Sequence, residues 1–327
     1  TLWDKRFMVE VKFKSPDLSI GPLGEKDYVE MRKLKKVKKS DIHYYAVKTL
    51  PTIRSLDEIV CIPHLSYSKS KYWEKNIRVK YIKGHTKNIT FMLKKEIKNI
   101  HSLYHFGEFS RIYQSFLQMN ECISSNSIGT NAVINFCLKN RIKLIYSATS
   151  ANLGNKGSDK NLSPYAFTKA KNLEFLENLK KWFRFKYEII YFYNVYGPMQ
   201  ICKGKMATVI GIFEEHYKNK KPLPVVKPGT QTRRFTHIYD TVNACFYAWK
   251  KHKCRHYSIS NKRSYSIISV AKMFNSKIKF LPVRPGERYA SALTNMNLSN
   301  KVHKLFGKKD LKDYVQTFIN KMGNCYL

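Results

Sequence analysis

A threonine, a tyrosine and a lysine have the types and the spacing needed for proton transfer. Thr149 follows an apolar stretch that begins at Lys143, and Tyr165 and Lys169 come later, four residues apart. Residues four apart lie on the same face of a helix, so the phenol and the ammonium would face the same space. A phenol is a poor base at neutral pH unless a nearby cation favours the phenolate. Lys169 supplies that cation, and Thr149 can hydrogen-bond the substrate oxygen that gains or loses the proton.

A tyrosine and a lysine four residues apart occur by chance on many solvated helices, but three later segments argue against that interpretation here. They are Asn194–Pro198 (NVYGP), Gly229–Asp240 (GTQTRRFTHIYD) and Arg284–Arg288 (RPGER). In this order and spacing the motifs resemble the extended short-chain dehydrogenase/reductase family, specifically its NAD-dependent nucleotide-sugar epimerases and dehydratases. UDP-glucose 4-epimerase is the nearest well-known type. The resemblance extends over residues 80–307.

The elements that must position these residues alternate between strand and helix from Arg78 onward. The predicted strands are 79–82, 102–105, 144–147 and 188–193, and the predicted helices are 89–97, 124–140 and 165–183. Alternation of this kind predicts an α/β fold, with a Rossmann-like doubly wound parallel sheet and right-handed crossovers. Ligands bind such sheets beyond the carboxyl ends of the strands. Thr149 and Asn194 each follow such an end.

The pattern divides the chain into three regions. Residues 55–197 are predicted to form the NAD-binding Rossmann-like core. Residues 198–327 are predicted to be mainly a smaller substrate-binding lobe, with some segments returning to the core, because loops rich in Lys, Pro and Gly separate shorter helices there. Residues 1–54 are predicted to be an atypical N-terminal segment, disordered or misassembled relative to the family.

The reason for that last prediction is the glycine pattern. A dinucleotide-binding fold of this family begins with a strand and a G-x-x-G-x-x-G turn, whose backbone reaches the pyrophosphate at a helix N-terminus. Gly21 and Gly24 flank Pro22 and follow no apolar strand, so they predict a plain turn. The run Arg32–Lys39 (RKLKKVKK) is typical of a solvated basic segment. The affinity for NAD is therefore in question.

The resemblance implies a set of cofactor-binding residues. Asp57 would hold the adenosine ribose, Phe106 and Gly107 would form the loop that passes the pyrophosphate, and Asn126 would lie beneath the nicotinamide. Tyr165 and Lys169 would complete this set, with Lys169 on the nicotinamide ribose. The plainer interpretation remains open for two members, because Gly107 could be an ordinary turn and Asn126 an ordinary polar residue on a helix.

The resemblance also implies substrate contacts. Thr149 would orient the reacting hydroxyl, Asn194 would bind the phosphate-sugar region, and Arg233 and Arg284 would grip the nucleotide diphosphate. Guanidinium groups suit phosphate because they pair with its oxygens bidentately. Among 60 basic residues an arbitrary arginine is a surface charge, but these two lie inside recognisable loops. Arg234 stands where the family has an acidic residue.

One local detail separates the reactions of the family. The 4,6-dehydratases that this chain resembles place Asp-Glu directly after the catalytic threonine, and the related decarboxylases place a Glu nearby. Ser150 and Ala151 occupy those positions here. The resemblance therefore favours epimerisation of a nucleotide-diphosphate sugar, with a UDP-sugar 4-epimerase acting through a transient 4-keto intermediate in polysaccharide biosynthesis as the leading hypothesis. The alternatives are a catalytically impaired, epimerase-derived sugar-nucleotide-binding protein and a nucleotide-sugar dehydratase or decarboxylase.

The charge composition indicates which binding partners the protein could have. The 327 residues include 60 Lys+Arg against 23 Asp+Glu, which gives a net charge of +37 and a pI near 9.9. Such a charge could indicate a polyanion-binding protein. Lysine is spread along the whole chain together with Asn and Ile, so we predict no specific nucleic-acid partner and a field that helps to capture a diphosphate. The family resemblance also implies a homodimer.

Cysteine usage and hydropathy predict a soluble cytoplasmic protein. The seven cysteines are an odd number without paired spacing, as expected of free thiols in a reducing compartment. His252, Cys254 and His256 lack a partner cluster, so no metal is predicted. No apolar run reaches the about 18 residues that span a bilayer, so no membrane contact is predicted.

Overall fold

The computed structural model describes residues 2–3, 7–11, 18–34, 51–55, 58–62, 65, 67–69, 77–80, 82–251, 253–286 and 302–323. The chain forms two compact units, Thr1–Gly84 and His85–Leu327. Asp57 lies outside the described residues, so its predicted ribose contact stays a prediction. Lys35–Lys39 of the basic run and Glu287–Arg288 also lie outside them.

The first unit is built on antiparallel strands and one described helix. The strands are β1 (Leu2–Trp3), β2 (Phe7–Val11), β3 (Leu18–Pro22), β4 (Pro51–Ser55), β5 (Glu58–Ile62), β6 (Tyr67–Ser68) and β7 (Ile77–Lys80), and the helix is α1 (Glu25–Lys33). One sheet has the order β1-β2-β7 and the other β3-β4-β5-β6, with every pairing antiparallel. This unit has a small core of its own, formed by Leu23, Tyr28, Met31 and Ile62.

Gly21 lies inside strand β3 and Gly24 follows that strand, which corrects the prediction of a plain turn without a strand. Strand β3 ends at Pro22, and Gly24 takes a φ of 79° directly before α1. Because β3 pairs antiparallel with β4, this strand, glycine and helix are not the parallel unit that binds dinucleotides. Arg54 of β4 fixes α1 instead, by donating to Asp27 at 2.6 Å and to the carbonyl of Leu23 at 3.2 Å.

The first unit extends to Gly84, well beyond residue 54. The predicted strand 79–82 is found as β7, but it pairs antiparallel with β2, with Val9 opposite Val79. The prediction that this strand belongs to the parallel sheet is therefore wrong. The local pattern correctly indicated a strand, but the pairing partner is a distant N-terminal segment that local periodicity does not reveal.

The second unit is an α/β structure. Its strands are β8 (Ser102–His105), β9 (Lys143–Thr149), β10 (Tyr187–Phe192), β11 (Asn194–Tyr196), β12 (Leu223–Val226), β13 (Thr232–His237), β14 (His256–Ser260), β15 (Ser264–Ser266), β16 (Ile278–Leu281) and β17 (Val302–Phe306). Its α-helices are α2 (Ile89–Met92), α3 (Ile112–Leu117), α4 (Met119–Ile123), α5 (Thr130–Lys139), α6 (Pro164–Phe183), α7 (Val209–Lys218), α8 (Ile238–Lys251), α9 (Ile267–Met273) and α10 (Leu311–Gly323). Helices α4 and α5 are joined by a π-helical segment, Ser124–Gly129.

The predicted parallel sheet is confirmed. It has the order β17-β14-β10-β9-β8, and all of its pairings are parallel. Every residue of β9 is buried, as expected of a strand covered on both faces by helices. The alternation predicted from the sequence therefore places β8, β9 and β10 within two residues of their predicted bounds.

Helix α6 has local signals at both ends. The Ser163 side chain accepts a hydrogen bond from the amide of Ala166 at 3.1 Å, and Pro164 occupies the first turn, where no amide donor is needed. The helix ends at Arg184, which takes a left-handed φ of 53°. These signals fix where the helix begins, and with it the positions of Tyr165 and Lys169 in its first two turns.

The segment after β10 forms a second core around smaller sheets. Strands β11, β13 and β15 make one sheet, and β12 pairs with β16. Tyr196, Phe213, Phe235 and Phe274 are fully buried in the core between these strands and helices α7, α9 and α10. Strands β14 and β17 leave this region and join the parallel sheet.

The described residues carry two further observations relevant to the sequence predictions. Their cysteines are free thiols: Cys61, Cys122, Cys137, Cys202, Cys245 and Cys254. None of the described helices is both long enough and apolar enough to cross a bilayer.

Candidate active site

The three residues proposed for proton transfer lie at the junction of β9 and α6. Thr149 is the last residue of β9, and its hydroxyl accepts a hydrogen bond from the amide of Ala151 at 3.1 Å. Tyr165 lies in the first turn of α6 and Lys169 one turn later. All three are buried, with exposures of 6%, 9% and 3%. The carboxyl end of a central parallel strand is where this architecture binds ligands.

The Tyr165 ring packs in a small apolar cluster. Phe109 and Cys122 are buried beside it, and Ile112 of α3 packs against them. The amide of Tyr165 donates to the hydroxyl of Ser115 at 3.2 Å. Helix α3 therefore holds the start of α6 in place by a polar contact as well as by packing.

The Lys169 ammonium is held by protein groups on three sides. It donates to the Glu108 carboxylate and to the carbonyl oxygen of Ser147. It also lies 4.7 Å from the centre of the Tyr146 ring. The side chains of Lys169 and Glu108 are only 4% and 2% exposed, so this is an ion pair away from bulk water.

The Glu108 carboxylate is saturated with donors. Its Oε1 accepts from the Thr130 hydroxyl at 2.9 Å, the Tyr146 hydroxyl at 3.0 Å and the Asn172 amide at 3.3 Å. Burial, and then the negative charge of Glu108, raise the pKa of the Tyr146 phenol well above its usual value, so Tyr146 stays protonated and donates. A buried ion pair is stable only when its remaining polar atoms are satisfied in this way.

Sequence reasoning gave no role to Glu108, which directly follows Gly107. The available signal was an acidic residue three positions beyond the carboxyl end of a parallel strand, at the same sheet edge as Thr149. The partner residues Thr130 and Asn172 had no comparable signal, because a hydroxyl or an amide on an amphipathic helix is common.

Arg111 is a second cation near Tyr165 that sequence reasoning missed, and it is partly buried. Its guanidinium donates to the carbonyl of Met206 at 2.5 Å and 3.1 Å. Burial lowers the pKa of Arg111, and its electrostatic interaction with Tyr165 acts in the opposite direction. Arg111 directly precedes α3, so the same short segment brings both a cation and Ser115 to Tyr165.

The amide of Asn126 is used by the protein itself. Its oxygen accepts from the amide of Phe109 at 2.7 Å, and its nitrogen donates to the Phe109 carbonyl at 3.1 Å and to the Thr168 hydroxyl at 3.2 Å. Asn126 is fully buried. These contacts give Asn126 a structural function, and its predicted cofactor contact stays a prediction.

The other predicted cofactor residues lie on the loop after β8. The Phe106 ring packs against Tyr104 and Phe192, with ring centres 5.8 Å and 5.3 Å apart. A side chain at Gly107 would come within 3.1 Å of the Thr86 methyl group, so a glycine is favoured there by a neighbouring side chain of the protein.

The predicted substrate residues fall into two groups. Arg284 lies with its guanidinium 5.2 Å from the centre of the Tyr113 ring on α3, and a side chain at Gly286 would clash with Ile112 at 2.8 Å. The loop that carries Arg284 therefore packs on the same helix that holds Tyr165.

Asn194 and Arg233 lie in the sheet formed by β11, β13 and β15. The Asn194 amide donates to the carbonyl of Arg234 at 2.9 Å, which ties β11 to β13. Arg233 is buried and donates to the carbonyl of Thr232 at 2.8 Å. The predicted diphosphate contacts of these residues stay predictions.

No group of three or more His, Cys, Asp or Glu residues suited to a metal ion is found in the described part of the chain. His256 is instead paired with the hydroxyl of Tyr191 at 3.0 Å, inside the parallel sheet.

A parallel sheet with a tyrosine and a lysine at its central carboxyl edge defines a Rossmann-fold enzyme of the short-chain dehydrogenase/reductase class. The sequence model of the NAD dependent epimerase/dehydratase family matches residues 50–260, which is more than half of the chain. The chain belongs to that family, and the resemblance deduced from the motifs is confirmed.

Individual proteins show the same relationship. The chain is 25% identical to the ADP-L-glycero-D-manno-heptose-6-epimerase of Fusobacterium nucleatum over 270 residues, which cover 70% of this chain and 80% of that protein. It superposes on the UDP-glucose 4-epimerase of Thermotoga maritima, solved with UDP-glucose, with a TM-score of 0.65 and 18% identity, over 80% of this chain and 90% of that one.

A protein of a different class matches a shorter stretch. The chain is 35% identical to the tRNA(Ile)-lysidine synthase of Rickettsia prowazekii over 77 residues, which are 22% of this chain and 18% of that protein.

NAD is the cofactor of this family. The described residues fit the nicotinamide end of NAD. The buried donors Thr149, Tyr165 and Lys169 suit the nicotinamide end, where a hydroxyl and a ribose need polar partners. At the pyrophosphate end the sequence in hand has no glycine-rich turn, and Thr86 fills the space beside Gly107.

Proposed function

We propose that this protein epimerises a nucleotide-diphosphate sugar, most specifically a UDP-sugar at C4, through a transient 4-keto intermediate. The observation that carries the proposal is that Thr149 ends the parallel strand β9, while Tyr165 and Lys169 lie in the first two turns of α6 and Lys169 donates to the Ser147 carbonyl of β9. The family match supports an NAD-dependent epimerase or dehydratase reaction in general. The choice of C4 rests on the resemblance of the motifs to UDP-glucose 4-epimerase.

Each of these side chains has a defined task. Tyr165 takes the proton from the sugar hydroxyl and returns it at the end of the reaction, as a general base and then a general acid. Thr149 hydrogen-bonds the same oxygen. Lys169 supplies positive charge near the phenol. Bound NAD would supply the hydride acceptor and donor for the sugar carbon, and the side chains named above would move and hold the proton.

The residues after Thr149 favour epimerisation over dehydration. Ser150 and Ala151 are buried, at 4% and 1% exposure. A hydroxyl and a methyl group cannot protonate or deprotonate carbon, so elimination of water has no acid and base at this position. A dehydratase or decarboxylase is the second enzymatic alternative. One relative is named as a heptose-6-epimerase, so an assay must distinguish epimerisation at C4 from epimerisation at C6.

An assay of the purified full chain tests the proposal. The chain is incubated with added NAD and UDP-glucose, and the products are separated by chromatography and identified by mass and by sugar standards. Formation of UDP-galactose supports 4-epimerisation. A product 18 mass units lighter would indicate dehydration, and binding of UDP-glucose without any product would identify an epimerase-derived binding protein.

A second candidate function concerns nucleic acid. The match to a tRNA-modifying enzyme over 77 residues, together with the net charge of +37, favours a tRNA-binding role for part of the chain. Titration of the full chain with tRNA at several salt concentrations tests it. Sequence-independent binding that disappears steeply with salt would reflect charge alone, whereas preference for one tRNA would support the role.

We also propose that the protein is a homodimer. We propose further that it is located in the cytoplasm and acts in polysaccharide biosynthesis. Exposed apolar side chains on the helical segment 117–128 support the dimer: Leu117, Met119, Ile123 and Ile128 are 62%, 49%, 40% and 55% exposed. Light scattering coupled to gel filtration tests it directly, and Ile123→Glu should shift the mass to that of a monomer.

A further inference from the structure

The ion pair between Lys169 and Glu108 bears directly on the proposed chemistry. In a reaction run by a tyrosine and a lysine, the ammonium charge is what favours the phenolate. Here that ammonium contacts a carboxylate whose side chain is 2% exposed, in a region where charges are poorly screened by solvent. The positive charge near Tyr165 is therefore partly compensated by a negative charge built into the fold.

Glu108 is placed by contacts from three elements. Thr130 of α5, Tyr146 of β9 and Asn172 of α6 each donate to it. A carboxylate that only filled space would not need donors from a strand and two helices. The arrangement fixes the carboxylate, and the carboxylate together with the Ser147 carbonyl fixes the ammonium.

We propose that Glu108 is a positioning residue, which holds the Lys169 ammonium against strand β9 and limits how much positive charge acts on the Tyr165 phenol. The inference rests on the proposed function for its catalytic consequence, but the ion pair itself is tested without turnover.

The other groups around the Tyr165 phenol determine how strongly the charge of Glu108 affects it. Arg111 interacts electrostatically with Tyr165. Cys122 packs beside the phenol, and burial raises the pKa of its thiol against the opposing effect of its hydrogen bond with Thr168, so it stays neutral. Tyr146 also stays protonated. Among these described neighbours, Arg111 and Lys169 carry positive charge and Glu108 carries negative charge.

The first experiment measures Lys169 directly. The native full chain is acetylated with limiting acetic anhydride, and the extent of reaction at each lysine is read by mass spectrometry of chymotryptic peptides. We expect Glu108→Gln to raise acetylation of Lys169 about tenfold, because the amide keeps the size of the side chain and removes its charge. Glu174→Gln is the matched control, since Glu174 pairs with Lys171 on the exposed face of the same helix.

A buried lysine elsewhere separates a local effect from loosening of the whole fold. Lys143 is paired with Glu188 at 3.2 Å, and both are buried. Increased acetylation of Lys169 alone supports the proposal. An unchanged Lys169, or an equal increase at Lys143, overturns it.

The second experiment measures the pH profile of turnover with saturating NAD and UDP-sugar. Loss of the Glu108 charge leaves the Lys169 ammonium uncompensated, which favours the phenolate of Tyr165. We therefore expect Glu108→Gln to move the acidic limb of the profile to lower pH by about one unit or more, and Glu174→Gln to leave it in place. A profile that does not move overturns the positioning role. If the wild-type chain turns over no nucleotide sugar, the proposed function fails, and acetylation still decides whether Glu108 holds Lys169.

Discussion

Asn126 binds the backbone of Phe109 at both of its polar groups. The side-chain oxygen accepts from the Phe109 amide at 2.7 Å, and the side-chain nitrogen donates to the Phe109 carbonyl at 3.1 Å. Phe109 immediately follows Glu108, so this pair of hydrogen bonds fixes the loop that presents the carboxylate to Lys169.

Replacing Asn126 by Ala should destabilise the protein by about 2 to 4 kcal/mol, because it leaves a buried amide and a buried carbonyl without partners. The free energy of unfolding from urea titration checks this. Asn135→Ala is the control, because Asn135 is exposed on α5 and bonds only at the limit of 3.5 Å. Equal stability of the two variants would show that the Phe109 backbone finds other partners.

Tyr165→Phe should reduce turnover by about 10²- to 10⁴-fold, the range for loss of a general acid or base. The ring should keep its packing against Phe109 and Ile112, so the melting temperature and the affinity for UDP-glucose should change little. Turnover with added NAD and calorimetric titration check the two parts. Tyr217→Phe on α7 serves as the matched control. Full activity of Tyr165→Phe would remove it from the reaction.

Arg233→Ala and Arg284→Ala should each weaken UDP-glucose binding by about 1.5 to 3 kcal/mol, the value of a hydrogen bond to a charged group. Calorimetric titration measures this. Arg255→Ala removes an exposed guanidinium from the edge of β14 and controls for the loss of one charge in a chain of net +37. An affinity unchanged from this control in both variants would place the diphosphate elsewhere.

His237 should make the protein less stable in acid. Burial lowers the pKa of His237, with the nearby Lys309 acting in the same direction. Its Nδ1 accepts from the amide of Tyr239 at 3.2 Å, and a proton there would break that bond. A histidine with a lowered pKa contributes stability above its unfolded pKa of about 6.5, and that contribution is lost as the pH falls below this value.

His237→Asn should therefore flatten the loss of unfolding free energy between about pH 6.5 and pH 5. Denaturant titrations across this range, compared with wild type, give the difference directly. His101→Asn replaces an exposed histidine and should leave the slope as it is. A slope unchanged by His237→Asn would mean that other groups titrate in this range.

NAD should bind this chain too weakly to co-purify with it. Pyrophosphate is held in this family by a glycine turn at a helix N-terminus, and flexible lysine side chains do not preorganise such donors. Mass spectrometry of the purified protein and fluorescence titration test this. A strand, glycine turn and helix grafted ahead of His85, where the second unit begins, should restore binding. NAD found bound to the unmodified chain would reveal a different pyrophosphate site.

The sequence predicted what local patterns encode. Strands β8, β9 and β10 and helix α6 were found close to their predicted bounds, because apolar periodicity and the cap at Ser163 act over a few residues. The partner of β7 and the buried Glu108 pair depend on contacts between residues tens of positions apart, with 61 between Glu108 and Lys169. Asn126 shows a third case, in which a recognisable motif position is used for backbone support.

The division of the chain at Gly84 also has an evolutionary consequence. Thr149, Tyr165, Lys169, Arg233 and Arg284 all follow that point, and the first unit has its own small core. A genetic crossover between codons 84 and 85 would carry all five of these proposed site residues as one inherited block.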